Sequence, residues 1–263
     1  MRPLIILTND DGIRSPGLRA AAEAVSDLGE VLIVAPRQQQ SSMGRAFLGD
    51  GASRARKYFV NRKRVTAYAV TTSPAPTVRH AILLIAERKP ALVISGINYG
   101  ENLGNGVTIS GTIGAALEAA NLGVPALAVS LATSIEYHLS YSKDIDFSIA
   151  ARYVRKFARG ILARGMPRGA DVLNINVPKD VRLNVGWRWT CVSRASYFHS
   201  TIKKTPRGRR FTGYDVKVEF ETLEDDSDIA AVLMDGVVSV SPLTLDLTAR
   251  VPKSELAQWA TQK

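Results

Sequence analysis

Cysteine is almost missing. Cys191 is the only one in 263 residues, which excludes an internal disulfide framework and any multi-cysteine metal site. No apolar run approaches the ~18 residues of a membrane-spanning helix. The N-terminus enters a strand pattern directly after Met1-Arg2-Pro3, with no signal peptide, so the cytoplasm is the expected compartment and no membrane partner is expected. Histidine is scarce as well: His80, His138 and His199 are scattered without metal spacing and read as structural or surface residues. The sequence contains no P-loop, no GxGxxG fingerprint and no GxSxG nucleophile elbow, and enzyme classes built on those turns lose ground. Internal repeats and low-complexity tracts are also lacking.

What is present is ordinary for a globular protein, with 46% hydrophobic and 22% charged residues in a length that suits one large domain or two small ones. The formal net charge of +10 favours anionic partners such as phosphates, nucleotides or nucleic acid. Two clusters of cations stand out: Arg54, Arg56, Lys57, Arg62, Lys63 and Arg64, then Lys203, Lys204, Arg207, Arg209 and Arg210. An acidic run from Asp215 to Asp228 follows the second group.

Strand-like and helix-like stretches alternate over the first two-thirds. Apolar runs at Leu4–Thr8, Val31–Ala35, Val65–Val70, Ala91–Ser95, Pro125–Leu131 and Val172–Val177 read as strands. Between them, helical spacing appears at Leu18, Ala21, Ala22 and Val25, from about Pro76 to Glu87, at Ile113, Ala116, Leu117 and Ala120, and from about Lys143 to Arg164. Continuous apolar strands separated by helices indicate an α/β fold, a mainly parallel sheet with helices on both faces. From Val185 the pattern turns β-rich, which divides the chain into a core over residues 1–184 and an extension over 185–263. In the extension, Trp187–Val192, Tyr214–Phe220 and Val237–Ser241 read as strands, Lys203–Gly213 as a basic connector, and Ser254–Gln262 as a closing helix. A hairpin arm with only its own two strands is marginal in water, so this arm is expected to pack on a second subunit.

Four segments carry the chemistry. Asn9-Asp10-Asp11-Gly12 ends the first strand, where adjacent carboxylates are costly unless a cation holds them. The polar loop from Arg37 through Ser41 to Gly44 follows the second strand, and Ser95-Gly96-Ile97-Asn98-Tyr99-Gly100-Glu101-Asn102 follows a third. Ser110-Gly111-Thr112 opens an apolar-striped helix, whose free N–H groups, dipole and hydroxyls suit a phosphate. Carboxylate, hydroxyl and amide oxygens together form a ligand set for a hard cation such as Mg²⁺, Mn²⁺ or Ca²⁺. A cation site and a phosphate site in one crevice read as metal-assisted phosphate ester hydrolysis.

Together these segments resemble the SurE family, the stationary-phase survival proteins that act as 5′-nucleotidases. The resemblance rests on Thr8–Gly12 followed by Pro16-Gly17, on Ser95–Gly104, on Ser110–Ala116, on Asn174–Pro178 and on the ending Ser239–Thr248. It implies a Rossmann-like core with a C-terminal β-rich extension that builds dimers or tetramers. It also implies one divalent cation per subunit, Mg²⁺ or Mn²⁺, on Asp10, Asp11, Ser41 and Asn98, with Asp10 and Asp11 catalytic. Asn9, Asn98, Asn102, Ser110, Gly111 and Thr112 would bind the phosphate of a nucleoside 5′-monophosphate. Two alternatives stand beside this activity: an exopolyphosphatase on the same site, favoured by the basic clusters, and a non-catalytic nucleotide- or RNA-binding protein. The chain departs from the family at Arg37, Gln40 and Pro76, where an acid, an Arg and an Asp are usual. None of the three is an implied ligand.

Overall fold

The leading run Leu4-Ile5-Ile6-Leu7-Thr8 forms a strand buried along its whole length. Its neighbours explain why it carries no polar face. In a computed structural model describing residues 1–138, 140–182, 184–206 and 208–261, this strand lies between two parallel partners, with helices on both faces of the sheet. Arg207, from the second basic group, and Gln262, the expected end of the last helix, lie outside the described residues.

The strands in chain order are β1 (Leu4–Thr8), β2 (Glu30–Pro36), β3 (Gly49–Ala55), β4 (Tyr58–Val60), β5 (Lys63–Thr72), β6 (Leu92–Tyr99), β7 (Ala126–Leu131), β8 (Val172–Val177), β9 (Trp187–Trp189), β10 (Phe198–Thr205), β11 (Gly208–Val216) and β12 (Val238–Leu243). The α-helices are α1 (Pro16–Val25), α2 (Pro74–His80), α3 (Gly111–Asn121), α4 (Ser148–Arg164) and α5 (Lys253–Thr261). The main sheet runs β3-β5-β2-β1-β6-β7-β8-β12-β9, with β4 also on β5. From β5 to β8 every pairing is parallel; β3, β4 and β12 run antiparallel to their neighbours in that set.

Alternation within the strands serves both layers. Ile5, Leu7 and Ile33 face the core beneath α1 and α4, while Leu4, Ile6 and Val34 face the one beneath α2 and α3. A buried Leu or Ile of this kind contributes about 1.5–3 kcal/mol. Helix α1 begins at Pro16, whose missing N–H costs nothing at a first turn, and buries Leu18, Ala21, Ala22 and Val25 at helical spacing. Helix α3 is capped by Ser110, whose hydroxyl accepts from the Ile113 N–H.

Topology places the site. From β1 the chain steps outward to β2 and β5, then returns to the other side of β1 for β6, β7 and β8. The strand order therefore reverses between β1 and β6, and ligands of open α/β sheets bind beyond the carboxyl ends of the strands at such a point.

Several elements differ from the sequence reading. The antiparallel strands β3 and β4 were not expected. Gly49, Asp50 and Gly51 weaken the strand signal there, and pairing to β5 supplies what propensity does not. The stretch from Pro76 to Glu87 is α2 followed by a π turn at Ala81–Ile85, and the long helix begins at Ser148 instead of Lys143. The strand at Trp187 ends at Trp189. The basic segment Lys203–Gly213 is no connector: it forms the paired strands β10 and β11 themselves, a separate two-stranded sheet ending at Val216 rather than Phe220. Beyond residue 185, β12 and β9 are built into the main sheet, with β12 on β8. No described helix is long and apolar enough to cross a membrane.

Candidate active site

All four sequence segments meet at the switch point. They border a crevice of about 370 Å³ lined by Asp10, Ser41, Asn98, Asn102, Ser110 and Gly111.

The turn after β1 is held by Asn9, whose side chain donates to Gly12 O at 3.2 Å and accepts from Gly12 N at 3.1 Å. Asn9 is fully buried and committed to this clasp. Gly12 has a φ of +99°, and a Cβ there would lie 3.1 Å from the Gln38 carbonyl carbon, so the turn presses on the loop after β2. Asp10 accepts from Thr112 Oγ1 at 2.6 Å and from the Thr112 backbone N–H, at the positive end of α3. Gln40 N donates to Asp10 O at 2.7 Å, a bond any side chain at position 40 allows. Gly111 lets this happen: a Cβ there would lie 2.8 Å from Asp10 Oδ2 and 2.9 Å from Asp10 Cβ.

Asp11 lies behind Asp10. Its Oδ1 accepts from Gln39 Nε2 at 3.2 Å, and Tyr141 Oη donates to its backbone carbonyl at 2.8 Å. Its Oδ2 is buried without a hydrogen-bond partner. Burial raises the Asp10 carboxyl above its ordinary range, despite the Thr112 bonds. Asp11 is pushed well above it, by burial first and then by the charge of Asp10. No lysine or arginine lines the crevice among the described residues.

A buried carboxylate pair with one unpartnered oxygen and no cation beside it fits a divalent metal ion, which would supply the missing charge and the missing partner. No cluster of three or more His, Cys, Asp or Glu stands ready to hold one among the described residues. The remaining donors are therefore neutral oxygens. Ser41 and Asn98 border the same crevice, and Asn98 turns its Nδ2 onto Gly100 O at 2.7 Å, leaving Oδ1 as its available donor atom. Such an all-oxygen set suits Mg²⁺ or Mn²⁺ and not zinc.

Of the expected phosphate residues, Asn102, Ser110 and Gly111 line the crevice together with Asn98. Asn9 and Thr112 are fully buried beneath it and act on the turn and on Asp10. The Asn102 loop is fastened from below: Asn174 and Asn176 donate to its carbonyl at 3.0 and 3.1 Å, Asn176 Oδ1 accepts its N–H, and its own side chain donates to Ser130 Oγ. The buried asparagines on β8 thus hold the loop beyond β6.

Other residues of the site carried no strong local signal. Gln39 bridges Asp11 Oδ1 and His138 O. His138, expected to be structural or surface, is buried and borders the crevice, its Nδ1 2.8 Å from Tyr214 Oη. Gly100 makes room for that ring, since a Cβ would meet His138 Nε2 at 2.6 Å. Glu101 is buried at the crevice, with one oxygen bound by Tyr197 Oη. Phe198, Phe211 and Tyr214 of the β10–β11 hairpin line its outer part.

Paired carboxylates and a capped helix start at the switch point of a doubly wound sheet define an α/β protein with a polar crevice beyond its strand ends. Comparison with known proteins gives the family. The model for Survival protein SurE matches residues 5–199. The 5′-nucleotidase SurE of Methanocella arvoryzae is 42% identical, covering 93% of each chain. That of Thermococcus gammatolerans is 39% identical over 96% of this chain and 94% of its own. A crystal structure of the SurE protein from Aquifex aeolicus superposes with a TM-score of 0.76 at 32% identity, covering 98% of this chain and all of the other. The chain belongs to the SurE family.

Proposed function

We propose that this protein is a divalent-metal-dependent phosphomonoesterase that hydrolyses nucleoside 5′-monophosphates to nucleoside and phosphate. The observation that carries the reading is the buried Asp10–Asp11 pair, with its unpartnered oxygen, beside the capped start of α3. The relatives named 5′-nucleotidase SurE support it.

Asp10, Asp11, Ser41 and Asn98 would hold one Mg²⁺ or Mn²⁺ ion, which when bound polarises phosphoryl oxygens and lowers the pKa of water. The chain's own residues do the rest. Asn102, Ser110 and Gly111 present side-chain and backbone donors to the phosphate, offsetting the charge that develops during transfer. Thr112 keeps Asp10 oriented, and Gln39 does the same for Asp11. Asp10 reaches the crevice while Asp11 is not among its lining residues. That placement favours water as the attacking group, with Asp11 as a ligand instead of a nucleophile. The relatives named 5′-nucleotidase SurE also speak for catalysis over a purely binding role.

Polyphosphate hydrolysis would call for cations along the crevice, and no described one lines it. The basic groups lie elsewhere, on β3 to β5 and towards the tip of the hairpin. A phosphate-release panel over nucleoside monophosphates and polyphosphate, with and without Mn²⁺ or Mg²⁺, tests the proposal. Release from the monophosphates that needs the metal is the expected result. Release in EDTA, or none from any nucleotide, would overturn it.

A further inference from the structure

The crevice has two ends of opposite character. Its buried end is polar and bounded by Asp10, Asn98 and Ser110; its exposed end is bounded by Ile109, Phe198, Phe211 and Tyr214. A volume of about 370 Å³ falls at the small-molecule end of ligand sites. A ligand that fills it places an anionic group inside and a flat apolar group outside.

The hairpin is shaped for that outer group. Tyr214 and Phe211 are three residues apart on β11, so a regular pleat would send them to opposite faces. The register breaks between them. Thr201 pairs with Gly213 and Ile202 with Phe211, which leaves Thr212 as an extra residue on β11. This bulge brings both rings to the crevice, a re-aiming that bulges beside active sites perform. Tyr214 is fixed by His138 Nδ1 at 2.8 Å and by the edge of Phe198, 5.1 Å between centroids. Phe211 is 75% exposed at the mouth, a large ring held in solvent by strand geometry with no described aromatic neighbour. Ser200 and Gly213 also line the crevice and keep the wall beside the rings open.

We propose that the β10–β11 hairpin is the base-recognising wall of the site, with Phe211 stacking on the nucleobase while Tyr214 and Phe198 form the fixed edge it lies against. The proposal rests on the nucleotidase reading and names what that reading leaves open, namely which part of the protein distinguishes a nucleotide from other phosphate monoesters. Base stacking on an aromatic ring tolerates every base, because each has a π face. The site therefore selects for the presence of a base more than for its identity.

The experiment compares adenosine monophosphate with ribose 5-phosphate, which keeps the sugar and phosphate and lacks the base, in metal-loaded full-length protein. Wild type is expected to favour the nucleotide in kcat/KM by at least about tenfold, mostly through KM. Phe211→Ala should reduce that ratio about tenfold, and Phe211→Trp should restore it. The exposure of Phe211 keeps both variants folded, which circular dichroism checks. A Phe211→Ala ratio within about twofold of wild type overturns the proposal, as does a wild type that hydrolyses both compounds equally well. A wild type that hydrolyses neither with Mn²⁺ or Mg²⁺ overturns the nucleotidase reading itself.

Discussion

Three helical glycines offer the sharpest test of the packing around Asp10, because the same change, Gly→Ala, should have three different outcomes. In α4, a Cβ on Gly160 meets only the Arg164 guanidinium, 3.1 Å to Nη2, the free end of a flexible side chain. Relief of glycine's conformational entropy then dominates, and Gly160→Ala should stabilise by about 0.5–1 kcal/mol. With about 2–4 °C per kcal/mol for a protein of this size, Tm rises about 1–4 °C. On Gly111, at the first position of α3, the same methyl group meets Asp10 Oδ2 at 2.8 Å, Asp10 Cβ at 2.9 Å and Gln40 O at 3.1 Å. The carboxylate cannot swing clear, since Oδ1 is held by Thr112 at 2.6 Å. Overpacking costs about 1–3 kcal/mol against a propensity gain of at most about 1. Net destabilisation of about 1–2 kcal/mol follows, with a loss of Mn²⁺ affinity as Asp10 is displaced. On Gly114 the methyl group would sit 2.0 Å from Gly44 O and 2.4 Å from its carbonyl carbon, backbone against backbone. Gly114→Ala should cost about 3 kcal/mol or more, with Tm down by about 6 °C or more. Thermal melts with and without Mn²⁺, and isothermal titration with Mn²⁺, read all three. A Gly111→Ala protein that melts higher than wild type and binds Mn²⁺ within twofold of it would refute the argument.

Other outcomes follow from the same geometry. Asp10→Asn and Asp11→Asn should each lower phosphate release by about 10²-fold or more while leaving the circular dichroism spectrum intact; full activity of wild type in EDTA would remove the metal from the scheme. Because burial raises both carboxyls above 3.8, the pair holds more protons in the metal-free fold than in the unfolded chain. Its contribution to stability therefore falls as pH climbs from that value through the folded ones. A bound cation reverses the trend, so the Tm gap between Mn²⁺-loaded and EDTA-treated protein should widen as pH rises, and a gap that does not vary with pH contradicts the shifts. Thr112→Val removes a charge-assisted bond worth about 1.5–3 kcal/mol, and the loss should appear as weaker Mn²⁺ binding; unchanged binding would make Thr112 a packing residue only. Asp228 accepts from the N–H groups of Gly104, Ser193 and Ile229, so Asp228→Ala should cost about 3 kcal/mol or more and speed hydrogen exchange at Gly104 before the rest of the chain. Light scattering should show a homodimer or homotetramer, because α5 leaves Leu256 and Trp259 exposed and the hairpin tip exposes Ile202; a monomer would refute this, and deletion of 203–213 shows whether the tip holds the subunits.

Much of this protein was readable in its sequence, for local reasons. Leu4–Thr8 and Val172–Val177 are buried along their whole length, and their mainly apolar sequences reflect strands covered on both faces. Asp10 and Asp11 at the end of such a strand, and Ser110 before an apolar stripe, stand out as candidate site residues by chemistry that acts over a few residues. The edge strands β3 and β4 escaped, since their glycines and charges carry no strand signal and a neighbour's free edge decides their pairing. Roles within the site were likewise decided only in three dimensions. Asn9 and Thr112 look like phosphate donors in the sequence, yet packing turns one onto Gly12 and the other onto Asp10. His138 and the hairpin rings join the crevice from distant parts of the chain, brought there by the return of the chain across the sheet and by one extra residue in β11, and Gln39 ties His138 to Asp11 behind it. Strand periodicity is a property of neighbours in sequence and survives in the bare string of residues. Which side chain meets which carboxylate depends on contacts between segments more than a hundred residues apart, and only the assembled sheet brings those together.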